Sequence, residues 1–375
     1  MSESWRIGIL FSRTGVTGAT ESEHFRGAAL AVEEINRAGG VLGLPVEPVA
    51  YDPGATPAGY RAAADRLLGT DGVNVIFGCS TSSCRKAVLP AVERRNGLLW
   101  YPSLYEGFEY SPNVIYTGAV PNQLVYQLAA WMAREHGPRV ACIGSDYIYP
   151  REMNRVMRDV AERLGGGIAL ERYVPMEADA ATVGEAVAAL GRIEADWIFS
   201  TVVGEPALDF HRALADAGPR RPPVASLTLD ENMMRRVGPG ACEGLVNAAT
   251  YLATIATEAN ERFVAAYRAR FGAEAVTGWY SASSYAQVHL FARALEAAGS
   301  LDTQRLVEAA LGLACDTPEG RILIEPENQH AWLTPRIGIA RRDGLFEIVW
   351  EARAPIRPDP YLTESPAPGS AWIAD

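Results

Sequence analysis

Hydroxyl and aromatic side chains gather in a few short stretches of this chain, and they are the residue types with which a protein holds a small polar molecule. Ser80, Thr81, Ser82 and Ser83 follow one another, and Tyr101, Ser103, Leu104 and Tyr105 form a second group. Ser145, Tyr147 and Tyr149 form a third, and Val203 lies in a fourth stretch, 202–205. Charges there are sparser: Arg85, Lys86, Glu106, Asp146 and Glu205. Hydroxyls, ring faces and backbone N–H groups give each polar atom of a small neutral ligand a partner, while the rings exclude water. The same residues have plainer uses. Serines ahead of a helix cap its first N–H groups, and tyrosines pack in cores and loops. At a helix N-terminus the two uses are compatible.

Catalytic patterns are missing. The nearest approach to G-x-S-x-G is 78–82 (G-C-S-T-S), which lacks the second glycine and therefore the tight elbow. There is no G-x-x-x-x-G-K-[ST], and the glycines at 165–167 do not fit a dinucleotide fingerprint. His24, His136, His211, His289 and His330 are scattered without H-E-x-x-H and read as structural or solvated. Cys79, Cys84, Cys142, Cys242 and Cys315 form no CxxC, which predicts reduced thiols, with Cys79 and Cys84 as small buried residues. No nucleophile with its base and orienting group is visible, so no catalytic, cofactor-binding or metal-binding residue is expected.

The elements that must position these residues alternate. β-rich runs at 5–11, 45–51, 73–77 and 97–101 are interleaved with helical patterns. One helix carries Phe25, Ala28, Ala29, Val32 and Ile35 on one face, a second spans 59–68, and a third carries Ala87, Val88, Ala91 and Val92. The rhythm restarts with a helix through Leu124, Leu128, Trp131 and Met132, a strand at 139–143, a loop at 145–149 and a helix through Met153, Val156, Met157 and Val160. Further strands are predicted at 168–173, 197–201 and 223–226, and helices at 257–271 and 282–298. The end differs: 320–325, 336–341 and 345–350 read as strands, with Asp343-Gly344 as a hairpin turn, and the proline-rich tail reads as extended or partly disordered. This βαβα grammar implies mostly parallel sheets flanked by helices, with ligand loops at the carboxyl ends of the strands: 12–18, 78–83, 101–106, 145–149 and 202–205.

Length fits two such lobes: 375 residues against ~150 per domain. Apolar residues make up 48% and charged residues 21%, which excludes a disordered chain. The net charge of −11 argues against direct nucleic-acid binding. No run of apolar residues is long enough to span a membrane. The chain opens directly on its first strand, so a cytoplasmic location is expected. On the same opening, no DNA-binding helix-turn-helix is expected.

At this point the residues carry a resemblance. The stretches 7–15 (I-G-I-L-F-S-R-T-G), 31–40 (A-V-E-E-I-N-R-A-G-G) and 73–79 resemble the start of type I periplasmic-binding-protein folds of the amide/urea and branched-chain amino-acid group. Longer stretches narrow it: 85–90 (R-K-A-V-L-P), 101–113 (Y-P-S-L-Y-E-G-F-E-Y-S-P-N) and 144–152 (G-S-D-Y-I-Y-P-R-E) are similar to the AmiC-like amide sensors. The stretches 199–204, 225–228 and 355–361 fit the same pattern.

The resemblance implies an α/β, two-lobe clamshell: 1–119 with 248–321 as the first lobe, 120–247 with 322–352 as the second, and 353–375 as a tail. A short amide or urea-like ligand would bind between the lobes. The implied function is a cytoplasmic sensor that represses amidase expression by sequestering an AmiR-like RNA-binding antiterminator until amide binds; the alternative is the substrate-binding component of an amide or urea ABC transporter. A homodimer is the expected assembly. Residue by residue, Ser82 matches the serine that hydrogen-bonds the amide through side chain and backbone, Tyr101 an aromatic wall, and Tyr147 the tyrosine reaching in from the second lobe. Ser103 stands where the family has threonine, Ser80 where it has tyrosine and Leu104 where it has proline, which reshapes the pocket toward a ligand bulkier than acetamide. Thr81, Tyr149 and Val203 complete the expected ligand set.

Overall fold

The computed structural model describes residues 4–218, 221–238 and 240–364. The chain divides into two compact units. Met1–Ala119 and Ala256–Leu333 form the first, and Val120–Ile255 and Thr334–Asp375 the second.

The first unit opens with β1 (Trp5–Leu10), α1 (Gly18–Arg37), β2 (Val46–Tyr51), α2 (Pro57–Gly69), β3 (Val75–Gly78), α3 (Ser82–Arg94), β4 (Leu98–Tyr101) and β5 (Val114–Tyr116). The strands form one parallel sheet in the order β2-β1-β3-β4-β5. Every residue of β3 and β4 is buried, which is why these runs read as continuous apolar stretches rather than alternating ones.

The second unit holds α4 (Pro121–His136), β6 (Arg139–Ser145), α5 (Ile148–Arg163), β7 (Gly167–Val174), α6 (Ala180–Leu190), β8 (Trp197–Thr201), α7 (Glu205–Asp216), β9 (Val224–Ser226), α8 (Glu231–Val237) and β10 (Val246–Ala249). The chain then returns to the first unit for α9 (Glu258–Phe271), α10 (Trp279–Ala298), α11 (Thr303–Ala310) and the antiparallel strands β11 (Ala314–Thr317), β12 (Gly320–Ile324) and β13 (Ala331–Trp332). It ends in the second unit with β14 (Arg336–Ala340) and β15 (Phe346–Glu351). The second sheet runs β15-β14-β10-β9-β8-β6-β7, parallel except for the hairpin of β14 and β15. That hairpin turns at the expected place, with Gly344 at φ 80°.

Several expectations need correction. The second crossing between units lies at 255/256 and the third at 333/334, not at 247/248 and 321/322. The reason is β10, whose Val-Asn-Ala-Ala carries no alternation to announce a strand, and β12, which pairs with β11 and β13. α1 starts at Gly18, ahead of its apolar stripe, because Thr20, Glu21, Glu23 and His24 are buried polar residues that break the periodicity. The loop expected at 145–149 is shorter: Ser145 ends β6 and Tyr149 lies in the first turn of α5. The tail is anchored before it leaves the described residues. Asn122 Nδ2 donates to Arg357 O at 2.8 Å, Gln123 Nε2 to Ile356 O at 2.9 Å, and Asp359 N to Asn122 Oδ1 at 3.0 Å. The rest of it, 365–375, lies outside the described residues.

One close approach aligns the first unit's helices. A Cβ on Gly27 of α1 would stand 2.0 Å from the carbonyl oxygen of Ser281 in α10, so only glycine lets these helices meet there. The contact brings His24 of α1 within 2.7 Å of Ser284 of α10.

Candidate functional site

The loops after β1, β3 and β4 leave the same edge of the first parallel sheet, at its carboxyl ends. After β3, Cys79 takes a left-handed φ of 67°, and its N–H donates to Leu10 O at 3.0 Å. The chain then enters α3 through Thr81, whose Oγ1 accepts from Cys84 N at 3.4 Å. Ser82 and Ser83 thus open the helix, where backbone N–H groups have no intrahelical acceptor.

Ser82 is buried, and its hydroxyl is engaged on two sides. Oγ donates to Glu106 Oε2 at 2.5 Å and accepts from Arg85 Nη1 at 3.3 Å. Arg85, fully buried, bonds Glu106 Oε1 at 3.3 Å and, through Nε, Glu109 Oε1 at 2.7 Å, while Lys86 Nζ reaches Glu109 Oε2 at 2.7 Å. The Arg85 guanidinium lies over the rings of Tyr101 and Tyr105 at 4.7 and 4.5 Å. Burial alone would raise Glu109, but Arg85 and Lys86 outweigh it and hold the carboxyl below its ordinary value. Two cations therefore face two carboxylates, and the cluster is neutral in sum.

A second chain of contacts ends at Ser103. His24 is fully buried, stacked on Phe11 at 4.9 Å, and burial lowers it to about 3, so the ring is neutral. Its Nε2 meets Ser103 Oγ at 3.1 Å, and Ser103 Oγ also reaches Cys79 O at 3.4 Å and Ser80 Oγ at 3.5 Å. Tyr101 is buried, and its hydroxyl donates to Ser80 O at 2.7 Å. Behind the loop after β1, Ser12 N donates to Glu21 Oε2 at 2.8 Å, and Thr17 and Tyr60 donate to the same carboxyl.

The expected residues Ser80, Thr81, Ser82, Tyr101 and Ser103 thus meet in one loop cluster of the first unit, and Leu104 follows Ser103 at half burial. Thr81 is occupied as the cap of α3, the plainer of the two uses that the sequence allowed. Tyr147, Tyr149 and Val203 belong to the second unit. There Ser145 Oγ accepts from Val203 N at 3.1 Å, and the Tyr147 and Tyr149 rings lie 6.1 Å apart at 36°. Sequence reasoning named Arg85, Lys86 and Glu106 only as charges and His24 only as structural or solvated, and missed Glu109 and Ser284. No local pattern marks a contact such as that of Ser284 with His24, 260 residues away.

Among the described residues no group of three or more His, Cys, Asp or Glu is placed to hold a metal ion, and no helix is long and apolar enough to cross a membrane. The cysteines are buried and unpaired.

Known proteins resemble the chain over most of its length. The Periplasmic binding protein domain family matches residues 5–367. A Leu/Ile/Val-binding protein homolog 6 from Brucella suis is 24% identical over 296 residues, covering 76% of this chain and 75% of the homolog. By contrast, the chain spans 22% of the length of a limonene hydroxylase from Geobacillus stearothermophilus, at 28% identity, and 22% of an amino acid binding protein from Pseudomonas aeruginosa, at 32%. Among solved structures, the solute binding protein of an ABC transporter from Rhodopseudomonas palustris HaA2, in complex with p-hydroxybenzoic acid, superposes with a TM-score of 0.85 at 20% identity, covering 97% of this chain and 100% of that one. That likeness speaks for the fold, two α/β units with mostly parallel sheets flanked by helices. With the family match running from β1 to beyond β15, the chain belongs to the periplasmic binding protein family.

Proposed function

We propose that this protein binds a small uncharged ligand carrying N–H donors, of the short amide or urea class, and that it does no chemistry on it. The observation that supports this is the direction of one hydrogen bond. Because Ser82 gives its proton to Glu106 and accepts from Arg85, its oxygen has one lone pair left, which only a donor can use. The first N–H groups of α3 lie beside it and suit a carbonyl oxygen. An amide offers both halves, N–H to Ser82 Oγ and C=O to the helix start. A carboxylate offers no donor and meets a cluster with no net charge. Titration calorimetry with propionamide, urea, propionate and leucine tests this reading. Saturable binding of the first two that is weakened in Ser82→Ala, with weaker binding of propionate, supports it; tightest Ser82-dependent binding of propionate or leucine overturns it.

For the cellular role, the family's transport proteins support a solute-binding component of an ABC transporter. Among the structural neighbours, one is in complex with p-hydroxybenzoic acid and another is the substrate-binding protein of an amino acid ABC transporter. A second reading, a cytoplasmic amide sensor acting as a homodimer on an RNA-binding antiterminator, rests on the long motifs at 101–113 and 144–152. Loss of labelled-amide uptake on deletion supports transport. Constitutive amidase expression on deletion supports the sensor.

A further inference from the structure

The second unit has a cavity of about 660 Å³ that the ligand reading does not use. It lies at the amino ends of the parallel strands: Val246, the first residue of β10, lines it, and so does Arg221, just ahead of β9. Ser145 and Val203 lie at or just beyond the carboxyl ends of β6 and β8, the opposite edge of the same sheet. Trp131 of α4 and Ile339 of β14 supply apolar wall, and Glu135 and Glu243 add carboxylates.

Arg221 is the unusual member. It is half-buried, and among the described residues no carboxylate pairs with it and no hydrogen bond to it is formed. Burial pulls it below the ordinary arginine value, the sign of a cation without a counter-charge. A partly dehydrated guanidinium on a cavity wall, with a planar fork of donors, is matched by a planar carboxylate. The volume falls within the ~300–1,000 Å³ of small-molecule sites. Trp131, Val246 and Ile339 suit an apolar body, while Glu135 and Glu243 oppose a second negative charge on the ligand.

We infer that the second unit carries a separate binding site for a small organic monocarboxylate, with Arg221 holding the carboxylate and Trp131 packing the apolar body. The site is independent of the amide reading. The test is calorimetry on the full chain with benzoate as probe, benzamide as the neutral isostere and inorganic phosphate as the dianionic control. With the Ser82→Ala chain, so that the amide reading contributes nothing, benzoate is expected to saturate in the millimolar range or tighter, with benzamide and phosphate at least ~10-fold weaker. Arg221→Gln is expected to weaken benzoate ~10-fold or more, Arg221→Lys less, and Ser82→Ala not at all. Benzoate binding that survives Arg221→Gln or is lost in Ser82→Ala overturns the inference. So does the absence of saturation at about 10 mM, an affinity too weak for a guanidinium–carboxylate pair in a cavity. Arg221→Lys keeps the test decisive if the glutamine variant fails to fold.

Discussion

Glu106→Gln is the perturbation on which the reading of the site turns. A ligand atom bonded to Ser82 Oγ stands ~3 Å from it, with Glu106 Oε2 2.5 Å beyond on the other side and Arg85 Nη1 3.3 Å away. A negative ligand atom is then roughly 5 Å from the carboxylate and roughly 6 Å from the guanidinium. At an effective dielectric of about 20, each interaction is about 3 kcal/mol and they oppose, so Coulomb energy barely separates a carboxylate from an amide. What separates them is the hydrogen bond that only the amide donates, worth about 1–3 kcal/mol when its loss leaves Ser82 Oγ unmatched. Propionamide should therefore bind roughly 10- to 100-fold tighter than propionate to the natural protein. Glutamine at 106 can turn its NH₂ toward Ser82, which frees the Ser82 proton for the ligand and removes the charge that balanced Arg85. Both changes favour propionate, and the preference should fall to a few-fold or reverse. Calorimetry with the two isosteres on an Arg221→Gln background reads the ratio at this site, and thermal unfolding checks the fold, since Arg85 keeps Glu109 at 2.7 Å. A variant that keeps the natural ratio refutes the argument, because Ser82 polarity would then not depend on Glu106.

Further outcomes follow from buried charged groups in each unit. Arg85→Met strips the counter-charge from Glu106 and Glu109, two carboxylates with little exposure, and should lower stability by about 3–5 kcal/mol in urea unfolding; a loss below about 1 kcal/mol would mean that Lys86 and solvent suffice. Burial raises Glu21 from 4.5 to about 7, so the folded state keeps a proton that the unfolded state releases. Stability from this group is full below pH 4.5 and is lost as pH rises through 7, on the order of 3 kcal/mol in all; Glu21→Gln should flatten the curve, and parallel curves would refute the shift. Glu231, raised by burial to about 8, acts in the same direction in the second unit.

The frame of the fold was legible because its signals are local. The central strands are apolar runs buried on both faces, and the hairpin turns at Asp343-Gly344. Legibility ends where polar residues are buried. The first turns of α1 hide Glu21, Glu23 and His24 inside the unit, so the helix starts seven residues before its apolar stripe, at Gly18 rather than Phe25. β10 is an inner strand whose Asn247 is fully buried, and its neighbours β9 and β14 make it a strand. The same limit governs the site. Ser82 could be picked out as a hydroxyl at a helix start, yet whether it offers a proton or a lone pair depends on Glu106, 24 residues away.

Net charge misleads for a related reason. The chain carries −11, which describes long-range steering and solubility, and a reader of composition alone would expect an acidic site. Around Ser82 the charges that matter are Arg85, Lys86, Glu106 and Glu109, joined in a chain of contacts in which Arg85 bonds both carboxylates and Lys86 bonds Glu109, none longer than 3.3 Å. Next to them stands a histidine that burial keeps neutral. These groups cancel, and their bonds to each other leave few donors or acceptors for a charged guest. An ionic ligand would have to break this set to be recognised, at the expense of a buried pair. An uncharged ligand needs only the remaining lone pair and the helix-start N–H groups, which is the ground on which we propose a neutral partner.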